Sequence, residues 1–202
     1  MTVKLFSGAL LDELAAKAAA SPRGRAHYNV HLSAEDPVQR FFVVADPRSY
    51  FRPHRHGSQS ELALVLRGSF DILTFDDSGG ILARYVVTAG GEHLGYESAR
   101  ATWHTLIART DGAAFLEIKE GPYDPASAAE FAPWAPPESD ARVPQFLEWL
   151  RSARTGARYC SWSPSAKANG SGPSWRRSGI TASTLIFLCW RMSASLIFSP
   201  GW

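Results

Sequence analysis

"RPHRHGSQSELALVLRG", residues 52–68, sets two histidines one residue apart, then a glutamate five positions after the second and a glycine seven beyond that. In an extended chain, residues two apart face one way, so His54 and His56 share a side while Arg55 faces the other. "GSQS" reads as a turn, and Glu61 opens an apolar run that Gly68 ends at a tight turn. If that run pairs back antiparallel, Glu61 reaches both imidazoles. Two neutral nitrogens and a carboxylate then converge on one point and leave open positions for water or substrate.

Outward from this stretch the hydrophobic period stays at two. "VQRFFVVA", "FDILTF", "ILARYVVT", "WHTLIAR" and "AAFLEIKE" are short runs rich in Val, Ile, Leu and Phe. "DPRS", "DDSGG", "AGGE" and "TDGA" separate them with turn chemistry. Six or more such strands without intervening helices predict an all-β sandwich or barrel. "ATWHTL" supplies a fourth ligand candidate, His104, at the start of a distant run.

Helices are expected at both flanks. Leu10, Leu11, Leu14, Ala15 and Ala18 recur at helical spacing, with Ser7 as a cap and Ser21-Pro22 as a stop. Val143, Phe146, Leu147 and Leu150 form one helical face near the end of the patterned sequence. Between the barrel and that helix, "GPYDPASAAEFAPWAPPESD" reads as an irregular segment packed by Tyr123, Phe131 and Trp134. The expected organisation is a helix and lead-in segment at 1–36, a barrel at 37–121, a Pro/aromatic segment and helix at 122–151, and a tail at 152–202.

Charge divides at the same boundary. Residues 1–151 carry 15 Lys/Arg and 19 Asp/Glu, whereas the tail carries 6 Lys/Arg and no acid. The body is therefore mildly acidic, which argues against nucleic acid as a partner. The tail holds four of the seven tryptophans and both cysteines, Cys160 and Cys189, and its composition suits a disordered or frame-shifted extension. Without cysteine in the body, a reducing, cytoplasmic setting is expected. The longest apolar run, near "TLIFLCW", is too short to span a bilayer, so no membrane partner is expected.

The string H-x-H-x4-E-x6-G, read as His54, His56, Glu61 and Gly68, resembles the first motif of the cupin superfamily, and "ATWHTL" resembles part of its second. The order "SPRGRAHYNVH", "DPVQR", "RPHRH", "TWH", "KEGPYDP", "FAPWAP" is most similar to the WbuC-type cupin-fold metalloproteins, over roughly residues 7–151. The resemblance implies a double-stranded β-helix, or jelly-roll barrel, with a short helix at each end. It implies one divalent transition metal ion, Fe, Mn, Zn, Ni or Co, held by His54, His56, Glu61 and His104. Three positions depart from the pattern: Arg48 stands for a glycine, Ala99-Arg100-Ala101 for a P-x-G turn, and Ala108 for an asparagine. The second departure predicts a looser turn beneath His104.

Further candidates follow from parity and position. Glu117 and Lys119 share a face of "AFLEIKE" and are read as a buried pair or a catalytic acid and base. Arg40, Arg52, Arg67 and His31 are candidate substrate contacts, with Arg67 sharing Glu61's parity. Tyr28 is a third catalytic candidate. The resemblance points to a small-molecule ligand, a sugar or sugar-derived compound of surface-polysaccharide metabolism. An iron(II)-dependent oxygenase and a non-catalytic, metal-organised binding module are the alternatives, and a homodimer is left open.

Overall fold

Alternating inward and outward side chains build two five-stranded sheets in the computed structural model, which describes residues 3–159. Across the first sheet lie β1 (Arg25–Asn29), β2 (Val38–Ala45), β9 (Ala113–Glu120), β4 (Glu61–Arg67) and β7 (Gly95–Ser98). The second holds β10 (Glu130–Phe131), β3 (His54–Arg55), β8 (Trp103–Ala108), β5 (Ser69–Phe75) and β6 (Ile81–Thr88). The described strand pairings are antiparallel. From β2 to β10 the chain crosses from sheet to sheet, with only β5 and β6 forming a local hairpin. This is the double-stranded β-helix. β1, β3, β7 and β10 come in addition to the six expected strands. None exceeds five residues, too few for a period to emerge.

Three apolar layers hold the sheets in place. Between them lie Val43, Val65, Phe70, Ile72, Leu106 and Phe115. Outside the first sheet, α1 (Gly8–Ala20) buries Leu14 and Ala18 against Phe42, Val44 and Ala114. Outside the second, α2 (Val143–Ser152) buries Phe146, Leu147 and Leu150 against Leu73, Phe75, Trp103 and Ile107. Each fully buried large side chain contributes about 1.5–3 kcal/mol. Because both of its faces are covered, β8 is buried at every residue. Ser7 does precede α1, but its side chain makes no capping bond; its carbonyl accepts the Leu10 amide instead.

Along the strands the interior changes character. On β9 the inward series runs Ala113, Phe115, Glu117, Lys119; on β4 it runs Val65, Ala63, Glu61; on β8, Ala108, Leu106, His104. One end of the barrel is packed with hydrocarbon and the other is lined with charge. The polar end is where a site belongs.

Residues 153–159, assigned to the tail from sequence, pack on the body. Gly80 bridges to Arg158, and the Tyr159 ring lies 4.8 Å from that of Phe146. The rest of the tail, with Cys160, Cys189 and the "TLIFLCW" run, lies outside the described residues. Among those described, no helix is long and apolar enough to cross a membrane.

Candidate metal centre

Three chain segments deliver the site. His54 in β3 sits opposite His104 in β8, His56 follows two residues on, and Glu61 opens β4. One ligand atom from each of His54, His56, Glu61 and His104 lies within 4.8 Å of all the others. His56, Glu61 and His104 are buried and His54 is nearly so. The four candidates read from spacing are thus brought together.

The tautomers follow from what the rings touch. His54 Nδ1 lies 3.0 Å from the Arg52 carbonyl, His56 Nδ1 2.5 Å from that of Ala128, and His104 Nδ1 2.9 Å from that of Thr102. A carbonyl oxygen only accepts, so each Nδ1 carries a proton and each neutral ring leaves its Nε2 lone pair for the centre. His104 Nε2 is buried without a hydrogen-bond partner, 3.6 Å from Glu61 Oε1. His56 Nε2 sits 2.9 Å from Glu61 Oε2. Three lone pairs and a carboxylate facing one another are all acceptors, an arrangement that requires a cation. The donor set of three imidazoles and one carboxylate fits a divalent transition ion.

Without a metal, a proton must serve as that cation, and the titration behaviour reflects it. Burial lowers His54 to about 3, with the neighbouring His104 adding to the effect. Burial also opposes charge on His104, but the Glu61 carboxylate outweighs it and raises the imidazole. Glu61 is held well below the usual carboxylate range: burial works against this, and the facing His104 and His56 overcome it.

Tyr96 belongs to the same cluster and was not singled out from sequence. Its hydroxyl donates to Glu61 Oε1 at 2.8 Å, and burial beside that carboxylate raises its own pKa well above the ordinary value. Gly95 lets β7 approach β4 this closely, since a Cβ there would run into the Ala63 carbonyl. The signal in "LGYES" was slight: Tyr96 and Ser98 alternate inward with Gly95 and Glu97 over only four residues.

The other candidates separate cleanly. Glu117 and Lys119 do share the interior, pairing at 2.8 Å beside Glu61's strand, both largely buried. Burial and the charge of Glu61 raise Glu117, against the pull of Lys119. Arg67 is a correction to the parity reading. A bulge between Val65 and Arg67 shifts the register, and Arg67 turns out to Asp12 of α1 at 2.7 Å. Arg40 faces Asp36 at 3.6 Å, and His31 accepts the Arg40 amide at 3.0 Å. Tyr28 packs near Phe6 on the α1 side of the first sheet, away from the cluster. Arg52 donates to the Ala132 carbonyl at 2.9 Å, which ties the Pro/aromatic segment over β3.

The turn beneath His104 is tied rather than loose. Ala101 donates its amide to the His56 carbonyl at 2.8 Å, and Thr102 donates to Ala99 at 3.2 Å. Ala101 adopts φ 60°, a left-handed conformation that glycine takes without strain.

A cavity of about 460 Å³ reaches the cluster from the side where β6 and β7 end the two sheets. His104, Tyr96, Thr74, Tyr85, Ser98 and Thr102 line it, and no Lys or Arg does. Beside these hydroxyl groups it presents the Glu97 carboxylate and the His93 imidazole.

Comparison with known proteins gives partial matches. A family model described as "Domain of unknown function (DUF6016)" matches residues 6–87, less than half of the chain. No curated protein matches the sequence. Among solved structures, KdgF from Halomonas sp. is 14% identical over 52% of this chain and 84% of its own, with a TM-score of 0.41. The formate complex of Lactobacillus farciminis oxalate decarboxylase is 18% identical over 52% of this chain and 30% of its own, TM-score 0.42. A sugar phosphate isomerase from a cupin superfamily, of Silicibacter pomeroyi, is 19% identical over 48% and 59%, TM-score 0.38. At these values the similarities assign no activity to the chain.

Proposed function

We propose that this chain is a cupin, most like the WbuC type, whose barrel holds one divalent transition metal ion on His54, His56, Glu61 and His104 and acts there on a sugar or sugar-derived small molecule. The observation that carries this reading is the convergence of three Nε2 lone pairs and a carboxylate within 4.8 Å, with His104 Nε2 unsatisfied. When bound, the ion supplies Lewis acidity toward a carbonyl or hydroxyl pair.

The protein's own groups do the rest. The carbonyls of Arg52, Ala128 and Thr102 fix the three rings, and the Tyr96 hydroxyl fixes the carboxylate. The hydroxyl-rich cavity, with the Glu97 carboxylate and no Lys or Arg in its lining, favours a neutral, many-hydroxyl ligand over an anion that would need more than the bound ion to neutralise it. Glu117, raised by burial and by Glu61 and paired with Lys119, is the carboxyl group we assign to proton movement at the centre. Surface-polysaccharide metabolism is the setting the WbuC resemblance suggests.

A direct test loads the protein with Mn²⁺ and follows sugar ¹H NMR linewidths for a panel of hexoses and nucleotide sugars. At least one sugar should broaden selectively with the wild type and not with His104→Ala. Equal broadening by both proteins for every sugar would dismiss the reading.

A further inference from the structure

A second charged cluster sits on the outer face of the second sheet. Asp71 in β5 lies opposite Val86 and Ile107, and its buried side chain bridges two arginines: Oδ2 accepts from Arg84 Nη1 and Oδ1 from Arg109 Nη1, each at 2.9 Å. Arg84 turns its Nη2 to the carbonyls of Leu150 and Ala153, so this half of the cluster clasps the C-terminal end of α2. The clasp leaves charge over. The same groove, about 650 Å³, is also lined by Arg151 and Arg154. Arg151 reaches Glu148 at 3.2 Å and donates to the Pro47 carbonyl, Arg109 gives Asp71 a single nitrogen, and the Arg154 side chain has no partner among the described residues. Four guanidinium groups thus face two carboxylates.

Among the described residues, Asp71 and Glu148 are the carboxylates that pair with these groups. All 19 acidic side chains of the sequence lie at or before Glu148, and all are described. Residues 160–202 hold none, so no folding of that segment brings a carboxylate side chain into the groove. The surplus is left to solvent ions or to a ligand.

We propose that this groove is an oxyanion site that takes the phosphate group of a small phosphomonoester, with Arg109 and Arg154 as its principal contacts. The surplus of two positive charges matches a phosphate carrying about −1.5 to −2 near neutral pH, whereas a carboxylate would cancel half of it. Guanidinium forks also suit phosphate geometry. The site is independent of the metal. Ile107 lines the groove three residues along β8 from His104, about 10 Å away, and faces the opposite side of the sheet.

Calorimetric titration of the full chain with inorganic phosphate, against chloride of equal ionic strength, tests this. The wild type should bind saturably with one phosphate per chain. Arg154→Gln should bind about tenfold more weakly or worse, and its fold is spared because the side chain is exposed and unpartnered. Arg109→Gln should show the same loss. Equal affinity in wild type and Arg154→Gln, no heat beyond the chloride control, or acetate binding as tightly as phosphate would each overturn the assignment.

Discussion

The second sheet carries a charged cluster on each face, and the two are built in opposite senses. Inside the barrel, three Nε2 atoms and a carboxylate crowd together as acceptors, with the Tyr96 hydroxyl donating to the carboxylate. Outside it, guanidinium groups crowd round Asp71 with a surplus of donors. The inner cluster is buried and its rings are locked by backbone carbonyls, so it cannot relax by swinging into water. The outer groups are long and part-exposed, and water softens their mutual repulsion. An unsatisfied inner cluster therefore costs far more than an unsatisfied outer one, and that asymmetry puts the stronger ligand requirement inside.

Removing the central carboxylate of the outer cluster sharpens the contrast. Asp71→Ala should lower the urea-unfolding free energy by about 3 kcal/mol whether or not metal is present, because two guanidinium groups lose their partner and α2 loses its clasp. That is the low end for a buried pair, since Arg109 is half exposed. A loss that vanished on adding metal would contradict the separation of the two sites.

Tyr96→Phe probes the inner cluster more gently. Losing the hydroxyl that orients Glu61 should weaken metal binding by about 10–100-fold while changing stability by only about 1 kcal/mol. Competition with a chelator measures the first effect and urea unfolding the second. Unchanged affinity would mean that the ring alone, not its hydroxyl, matters at this position.

The smallest effect is expected at the turn joining β7 to β8. Ala101→Gly relieves a left-handed residue at a cost in chain entropy, and should stabilise the fold by about 0.5 kcal/mol net. A shift of that sign in urea midpoint, with metal affinity held, would show that the strain is structural. A loss of metal affinity would show that the alanine helps to position His104.

What the sequence disclosed depended on how local the signal was. The long strands announced themselves by period two, and His54, His56 and Glu61 by spacing within eight residues. His104 was reached through the matching context "ATWHTL". Tyr96 sits on a four-residue strand, where alternation is too short to read. Arg67 defeated parity because a bulge adds a residue that no pattern announces. The outer cluster was illegible for a different reason. Asp71, Arg84, Arg109 and Arg154 come from separate elements, each an ordinary charged residue in its own neighbourhood, and only the folding of α2 over the sheet collects them.

Metal content decides the central claim. Elemental analysis of protein expressed with Fe, Mn, Zn, Ni and Co all available should find one transition ion per chain in the wild type and almost none in His54→Ala or His104→Ala. A folded wild type that retains no ion, or a His104→Ala variant that retains a full equivalent, would contradict the account.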